Sequence, residues 1–358
     1  MTAVAAARLD PAPQPGIQPE PEPAPGVGAL PPEDAVQSSV PRLSRPAIGE
    51  AGAAARSESL SLSPGLFHVP DTAVDGLSAP DFELRAAAVR GVSHRHHGEP
   101  RQDAYAFDAG ERWWAVAVAD GVGSRPLSHI ASHAAVSAAI GSARRVSSGG
   151  ASLVAWQEVF DAASAAIEHA VNASTCAVGA PANSAAGPWA KAADAPIRRL
   201  AAATLVVAVG LRQADGAWRV GSASLGDSRC QLLRQGRWLP LADPPAPDPN
   251  ALPSSATDAL PGEWPGAWRS ATVTAGPGDL VVAFTDGIGA PFGTGSGLVA
   301  STLAEWWYEP PASLEFAAQV GFLRRGFHDD RAAVGVWLTS AGPGESSEPA
   351  ERSSDSRD

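Results

Sequence analysis

Two stretches of the chain are apolar at consecutive positions and then stop on an aspartate and a glycine. Trp113 to Ser124 reads WWAVAVADGVGS, and Leu280 to Gly289 reads LVVAFTDGIG. Apolar residues at successive positions mark strands buried on both faces. Further strand patterns cover Phe82–Arg90, Ala104–Phe107, Ala203–Val209, Trp218–Leu225, Arg229–Arg234 and Ala332–Leu338, with one more after the Gln235-Gly236 turn. Trp218–Leu225 and Arg229–Arg234 are expected to pair through the tight turn Gly226-Asp227-Ser228. A helix is expected over Ser128–Val146, with a face of small residues at Ala131, Ala134, Ala135 and Ala138. A clearer one spans Leu153–Val171, where Leu153, Trp156, Phe160, Ala163, Ile167 and Ala170 form an apolar stripe. Helices are also expected near Gly297–Trp307 and Ser313–Phe327. Gly91–Asp103 is a polar loop, 172–198 a low-information surface loop, and 243–270 a long Pro/Trp loop of the kind that forms a lid or an insertion. Grouped strands with helices in pairs between them predict layers of antiparallel sheet covered by helices.

Composition sets the limits of this domain. Residues 1–80 hold 14 of the 33 prolines and none of the 11 tryptophans, so they are expected to be a disordered Pro/Ala-rich tail. Its deletion is expected to leave the melting temperature and the activity nearly unchanged. The globular domain is expected over 81–338, and 339–358 is expected to be a disordered acidic tail. The net charge of -12 argues against nucleic-acid and membrane-surface binding, which need a basic face. No apolar run is long enough for a transmembrane helix. Two cysteines, Cys176 and Cys230, are too few for a disulfide framework or a thiolate zinc cluster, which fits a reducing, cytoplasmic setting.

The candidate chemistry lies in five carboxylates. Asp103, Asp120, Asp286 and Asp329 stand at strand edges beside turns, and Asp227 sits in the Gly226-Asp227 turn. Any one of them alone is ordinary turn chemistry. Together they form an oxygen-only donor set, which suits hard cations such as Mg²⁺ or Mn²⁺.

The order of these motifs resembles the PP2C family, the metal-dependent serine/threonine protein phosphatases, and in particular a bacterial branch of it. Gly91-Val92-Ser93-His94 with Gly98, Pro100, Gln102, Asp103 and Ala104 is similar to that branch's opening motif. Ala119-Asp120-Gly121-Val122-Gly123-Ser124 resembles the metal-binding Asp-Gly turn, Ala203-Thr204-Leu205 the Gly-Thr-Thr strand, and Gly226-Asp227-Ser228-Arg229 the Gly-Asp-Ser-Arg hairpin. Thr285-Asp286-Gly287 and Asp329-Asp330-x-Ala332 resemble the last two metal motifs. The resemblance implies an α+β fold, a PP2C-like αββα sandwich of two antiparallel sheets flanked by helices. It implies two Mn²⁺ or Mg²⁺ ions and a weaker third. Asp120 would bridge two ions and the Gly121 carbonyl would ligate one. Asp286 and Asp329 would complete one shell, Asp103 would serve the other, and Asp227 with Asp286 the third. A metal-bridging hydroxide would attack phosphoserine or phosphothreonine, so the implied partners are phosphoprotein substrates and a serine/threonine kinase sharing those targets.

The chain departs from the family pattern at several positions. Gln102 stands where many members have glutamate, and Gly98 at the spaced position of the phosphate-gripping arginine. Val122 stands where some members have a histidine able to protonate the leaving group, and a valine is no general acid. His94, in the loop His94-Arg95-His96-His97, is the candidate replacement, as proton donor or as a positive charge over the phosphate. The rival readings are a catalytically weak phosphatase-like module that binds phosphoproteins for regulation, and a phosphoesterase acting on a small molecule.

Overall fold

The computed structural model describes residues 44–52, 69–122, 125–148, 155–177, 196–242, 258–262 and 268–340. The expected outer tails, 1–43 and 341–358, and most of the two long loops lie outside the described residues, as do Gly123 and Ser124.

The strands form two antiparallel sheets. The first holds β1 (Thr72–Ala79), β2 (Phe82–Val89), β7 (Arg229–Arg234), β8 (Arg237–Pro240), β10 (Leu280–Phe284) and β11 (Arg331–Leu338), in the order β1-β2-β11-β10-β7-β8. The second holds β3 (Ala104–Gly110), β4 (Trp113–Ala119), β5 (Leu205–Arg212), β6 (Trp218–Leu225) and β9 (Arg269–Ala275), in the order β3-β4-β5-β6-β9. Successive side chains of a strand point to opposite faces, and three apolar layers follow from that. From β4, Trp114, Val116 and Val118 enter the core between the sheets, where Leu84, Val206, Val281 and Val334 meet them. Ala115, Ala117 and Ala119 of the same strand face the other way. There they meet Ala131, Ala135 and Ala139 of α2 (Ser128–Ser148) and Phe160 and Ile167 of α3 (Trp156–Ala177). Outside the six-stranded sheet, Val282, Phe284 and Trp337 pack against α5 (Asp286–Phe292), α6 (Leu298–Trp306) and α7 (Ser313–Val320). The result is the expected αββα sandwich, and the double-sided apolar runs are its two central strands.

Several local expectations are corrected. Within the polar loop 91–103, Val92–His97 forms a short helix, α1, closed by Gly98 in the left-handed region at φ 69°. A four-residue helix, α4, spans Ile197–Leu200. β6 and β7 are no hairpin, because they belong to different sheets. The Gly226-Asp227-Ser228 turn carries the chain from one sheet to the other, with Gly226 at φ 94°. Part of the expected lid is ordered packing. Leu260 is buried and exchanges main-chain hydrogen bonds with Ala203, beside Gly121.

The expected boundary at residue 80 is also corrected. The contacts group Leu43–Asp358 into one unit. β1 pairs along its whole length with β2, from Thr72↔Val89 to Ala79↔Phe82. Further upstream, Ile48 is 2% exposed in the core under α5–α7. Full burial of such a side chain is worth about 1.5–3 kcal/mol. Deletion of residues 1–80 is therefore expected to lower the melting temperature, by about 10 °C. Scanning fluorimetry of the full chain against a chain starting at Asp81 checks this, and equal melting temperatures would make both segments dispensable.

Candidate metal centre

Strand register brings the carboxylates together. Ala104 of β3 pairs with Ala119 of β4, so Asp103 and Asp120 stand side by side where that pair of strands ends. In the other sheet Phe284 of β10 pairs with Ala333 of β11, and Arg331 pairs with Val89 of β2. Asp286, Asp329, Asp330 and Gly91 therefore share one end of that sheet. Asp227 comes from the crossover between the sheets. One carboxylate oxygen from each of Asp120, Asp227 and Asp286 lies within 4.8 Å of the others, the three side chains being half-buried. Asp227, expected with Asp286 to serve a weaker third ion, thus lies in one tight trio with Asp120 and Asp286. Asp329 stands outside it and is exposed.

Hydroxyls and main-chain groups fix this arrangement. Thr285 Oγ1 donates to Asp103 Oδ2 at 2.6 Å and accepts the Ala332 N–H at 2.9 Å, tying Asp103 to the opposite sheet. Thr204 Oγ1 accepts the Asp120 N–H at 3.2 Å and shares a hydrogen bond with Ser228 Oγ at 2.7 Å, linking Asp120 to the crossover. Gly121 forms an isolated bridge with Ala203. Asp330 is buried and gathers three partners: the Gly91 N–H at 2.5 Å, the Gln102 N–H at 2.5 Å and His94 Nδ1 at 2.8 Å. Glycine is required after Asp286, because a Cβ on Gly287 would run into the Asp330 carbonyl. It is required at Gly91 as well, where a Cβ would meet the Asp329 backbone.

The electrostatics are those of crowded negative charge. Burial, then the charges of Asp103, Asp286 and Asp329, push Asp120 well above the usual carboxylate range. Burial with Asp330 and Asp329 does the same to Asp103, against the pull of the Thr285 hydrogen bond. Burial, Asp227 and Asp329 push Asp286 up to about 7. Partial desolvation in the crowded site and the charge of Asp330 also raise Asp329. His94 moves the opposite way in charge. Burial disfavours its imidazolium, but the hydrogen bond and charge of Asp330, with Asp329 and Glu99, outweigh that and hold its pKa up at about 9. It is therefore a cation at neutral pH.

These shifts set a pH dependence for the metal-free protein. A carboxylate whose pKa rises on folding favours the fold while protonated, and that contribution is lost as pH climbs. For Asp286 the window runs from its ordinary 3.8 to about 7. The loss of His94 stabilisation, as pH rises through about 9, has the same sign. In EDTA the melting temperature is expected to be several degrees lower near pH 8 than near pH 5.5, with added Mn²⁺ raising it more at the higher pH. A flat profile in EDTA would show that the carboxylates do not repel one another.

A cleft of about 360 Å³ opens beside the trio, lined by Ser93, His94, Asp286, Phe327, His328 and Asp329 among others. Asp286 thus faces both the cleft and the trio. Of the histidine cluster only His94 is buried, while His96 and His97 are exposed. Arg101 is buried and spends its guanidinium on the carbonyls of Pro70 (3.2 Å) and Asp103, so it is not free for a phosphate. The roles of Asp330, Thr285 and Thr204 went unassigned in the sequence. The Asp329-Asp330 doublet and the hydroxyl directly before Asp286 were the signals that could have found two of them.

The family model described as Protein phosphatase 2C matches residues 90–313, more than half of the chain. The chain belongs to the PP2C family. No curated protein matches it. Among solved structures, similarity extends to the S. agalactiae serine/threonine phosphatase, at 15% identity, 72% of this chain, 99% of that one and a TM-score of 0.45. The Mycobacterium tuberculosis serine/threonine phosphatase PstP/Ppp is similar at 20% identity, 73% of this chain, 100% of that one and a TM-score of 0.42. PppA, a key regulatory component of T6SS in Pseudomonas aeruginosa, is similar at 18% identity, 74% of this chain, 100% of that one and a TM-score of 0.42. At such identities no residue role passes from these proteins to this PP2C chain. Among the described residues, no helix of this PP2C member is long and apolar enough to cross a membrane.

Proposed function

We propose that the chain is a metal-dependent phosphoprotein phosphatase acting on phosphoserine and phosphothreonine. The observation that carries this reading is the convergence of Asp120, Asp227 and Asp286 in a PP2C chain. Two features support a cation at this place. Asp286 Oδ1 is buried with no hydrogen-bond partner among the described residues. Neighbouring carboxylates also raise the pKa of Asp120 and of Asp286, a repulsion that a divalent ion relieves. Oxygen donors alone favour Mg²⁺ or Mn²⁺. Such ions, when bound, supply Lewis acidity toward the phosphoryl oxygens and the attacking water.

The remaining roles belong to the chain's own groups. Asp120, Asp227 and Asp286 would hold the ions, with the Gly121 carbonyl beside Asp120 and Asp103 oriented by Thr285. Asp329 would complete the set from the wall of the cleft. His94, charged and braced by Asp330, would face the phosphate and give a proton to the departing alkoxide. Its position compensates for Gly98 and Val122, which offer neither guanidinium nor proton. The exposure of His328 and Asp329 at the cleft favours a protein segment over an enclosed metabolite. The same two departures, Gly98 and Val122, favour the second reading, a regulatory module that binds phosphoproteins without turnover.

Hydrolysis of p-nitrophenyl phosphate and of a phosphothreonine peptide, with and without Mn²⁺, separates the two. Mn²⁺-dependent turnover of both is expected. Phosphopeptide binding with no turnover would leave the regulatory module standing.

A further inference from the structure

The segment Arg45–Glu50 precedes the family-matched region and supplies none of the site carboxylates. It runs along the loop that leads to Asp329. Ile48 N–H donates to Leu323 O at 3.0 Å, Leu323 N–H to Pro46 O at 2.8 Å, and Arg325 N–H to Glu50 O at 2.6 Å. Ala47 and Leu323 form a parallel bridge. Arg324 Nη1 reaches Ile48 O at 3.1 Å, and Arg45 Nε donates to Gly321 O. The Ile48 side chain, 2% exposed, sits in the same core cluster as Phe322 and Val89.

A buried residue also holds the loop from Gly321 to Phe327. Arg331 donates through Nε to Gly287 O at 2.8 Å and through its terminal nitrogens to Phe322 O and to Phe327 O. Its guanidinium also lies 4.2 Å from the centroid of the Phe322 ring. Directly beyond the loop, Phe327, His328 and Asp329 form one wall of the cleft, and His328 O accepts the Ser93 N–H at 2.9 Å. Among the described residues this stretch joins no sheet and makes only the isolated Ala47↔Leu323 and Arg324↔Phe327 bridges. Irregular segments with few partners open locally at low free-energy cost. Here the amides of Leu323 and Arg325 are taken by the upstream segment, and Ile48 anchors that segment through burial of apolar surface.

We propose that Arg45–Glu50 is a positioning strap, with Ile48 and Arg45 as its positioning residues, that sets the Gly321–Phe327 loop and through it the place of Asp329 in the cleft. The proposal rests on the cleft being the phosphatase site. It predicts that damage to the strap weakens metal binding and loosens the loop before it weakens the sandwich.

The test uses the full chain carrying Ile48→Ala, Ile48→Val or Arg45→Ala. Hydrogen exchange is followed in the 321–330 segment and in β4 and β5, and Mn²⁺ affinity is measured from the spin resonance of free Mn²⁺. Ile48→Ala and Arg45→Ala are expected to speed exchange in 321–330 about tenfold beyond any change in β4 and β5. They are also expected to weaken Mn²⁺ binding about tenfold, the range typical of groups that orient ligands. Ile48→Val, which keeps most of the buried volume, should stay near wild type in both. Should Ile48→Ala unfold the chain, Arg45→Ala alone decides, since it leaves the apolar anchor in place. Wild-type Mn²⁺ affinity in a variant whose loop exchanges faster would overturn the strap and spare the phosphatase reading. No Mn²⁺ binding by the wild-type chain would overturn the metal site, and the strap's role with it.

Discussion

Asp120→Asn is expected to abolish Mn²⁺-dependent hydrolysis of both p-nitrophenyl phosphate and a phosphothreonine peptide, by more than about 10³-fold. Asparagine keeps the shape of the side chain and removes its charge. The trio then loses the member delivered by the five-stranded sheet, and its neighbour at that strand end, Asp103, is already engaged by Thr285. Because the Asp120 N–H, not its carboxylate, bonds Thr204, the local backbone should be preserved. Burial and neighbouring charge disfavour ionised Asp120 in the metal-free fold. The variant should therefore melt at or above the wild-type temperature in EDTA, at a pH above the carboxylate range. Loss of activity with retained stability separates a functional carboxylate from a structural one. Substantial turnover in the variant would remove Asp120 from the site.

His94→Ala is expected to slow the phosphopeptide by about 10²–10⁴-fold while changing p-nitrophenyl phosphate far less. A serine or threonine alkoxide needs a proton as it leaves, and p-nitrophenolate does not. Sequence alone offers His94, His96 and His97 together, whereas the structure separates them. His94 is buried against Asp330, while His97 turns Nδ1 to Ser93 O and remains exposed. His96→Ala and His97→Ala should therefore leave both rates near wild type. Asp330 keeps the Gly91 and Gln102 amides when His94 is removed, so the fold should survive. Equal, small effects on the two substrates would reduce His94 to a brace for α1.

The central strands were legible because burial on both faces leaves no polar alternation, as in WWAVAVA and LVVAF. The aspartates were legible because each lies at a turn beside a strand. β1 was hidden for the opposite reason. Thr72–Ala79, TAVDGLSA, is an exposed edge strand whose pattern is no more apolar than a tail. β9, RSATVTA, alternates half-buried and exposed positions just after a Pro-rich stretch that masks it. The sandwich crossover at Asp227 looked like a hairpin because both arrangements need the same tight glycine turn. The strict trio was not legible at all. Whether Asp227 or Asp329 stands beside Asp120 and Asp286 depends on how two sheets stack, and no local pattern carries that distance.

Asp330 has a consequence for synthesis. It orders Gly91, His94 and Gln102, residues made long before it, and it lies just ahead of β11, the strand that inserts between β2 and β10. The chain is made N-terminus first, and a domain folds as a unit. On the ribosome α1 and the Asp103 segment must wait, without their carboxylate partner, until nearly the whole domain has been translated. The six-stranded sheet is likewise split until β11 arrives. The constellation therefore cannot exist on any nascent chain that stops short of β11, and a prematurely terminated product carries the early motifs with no assembled centre.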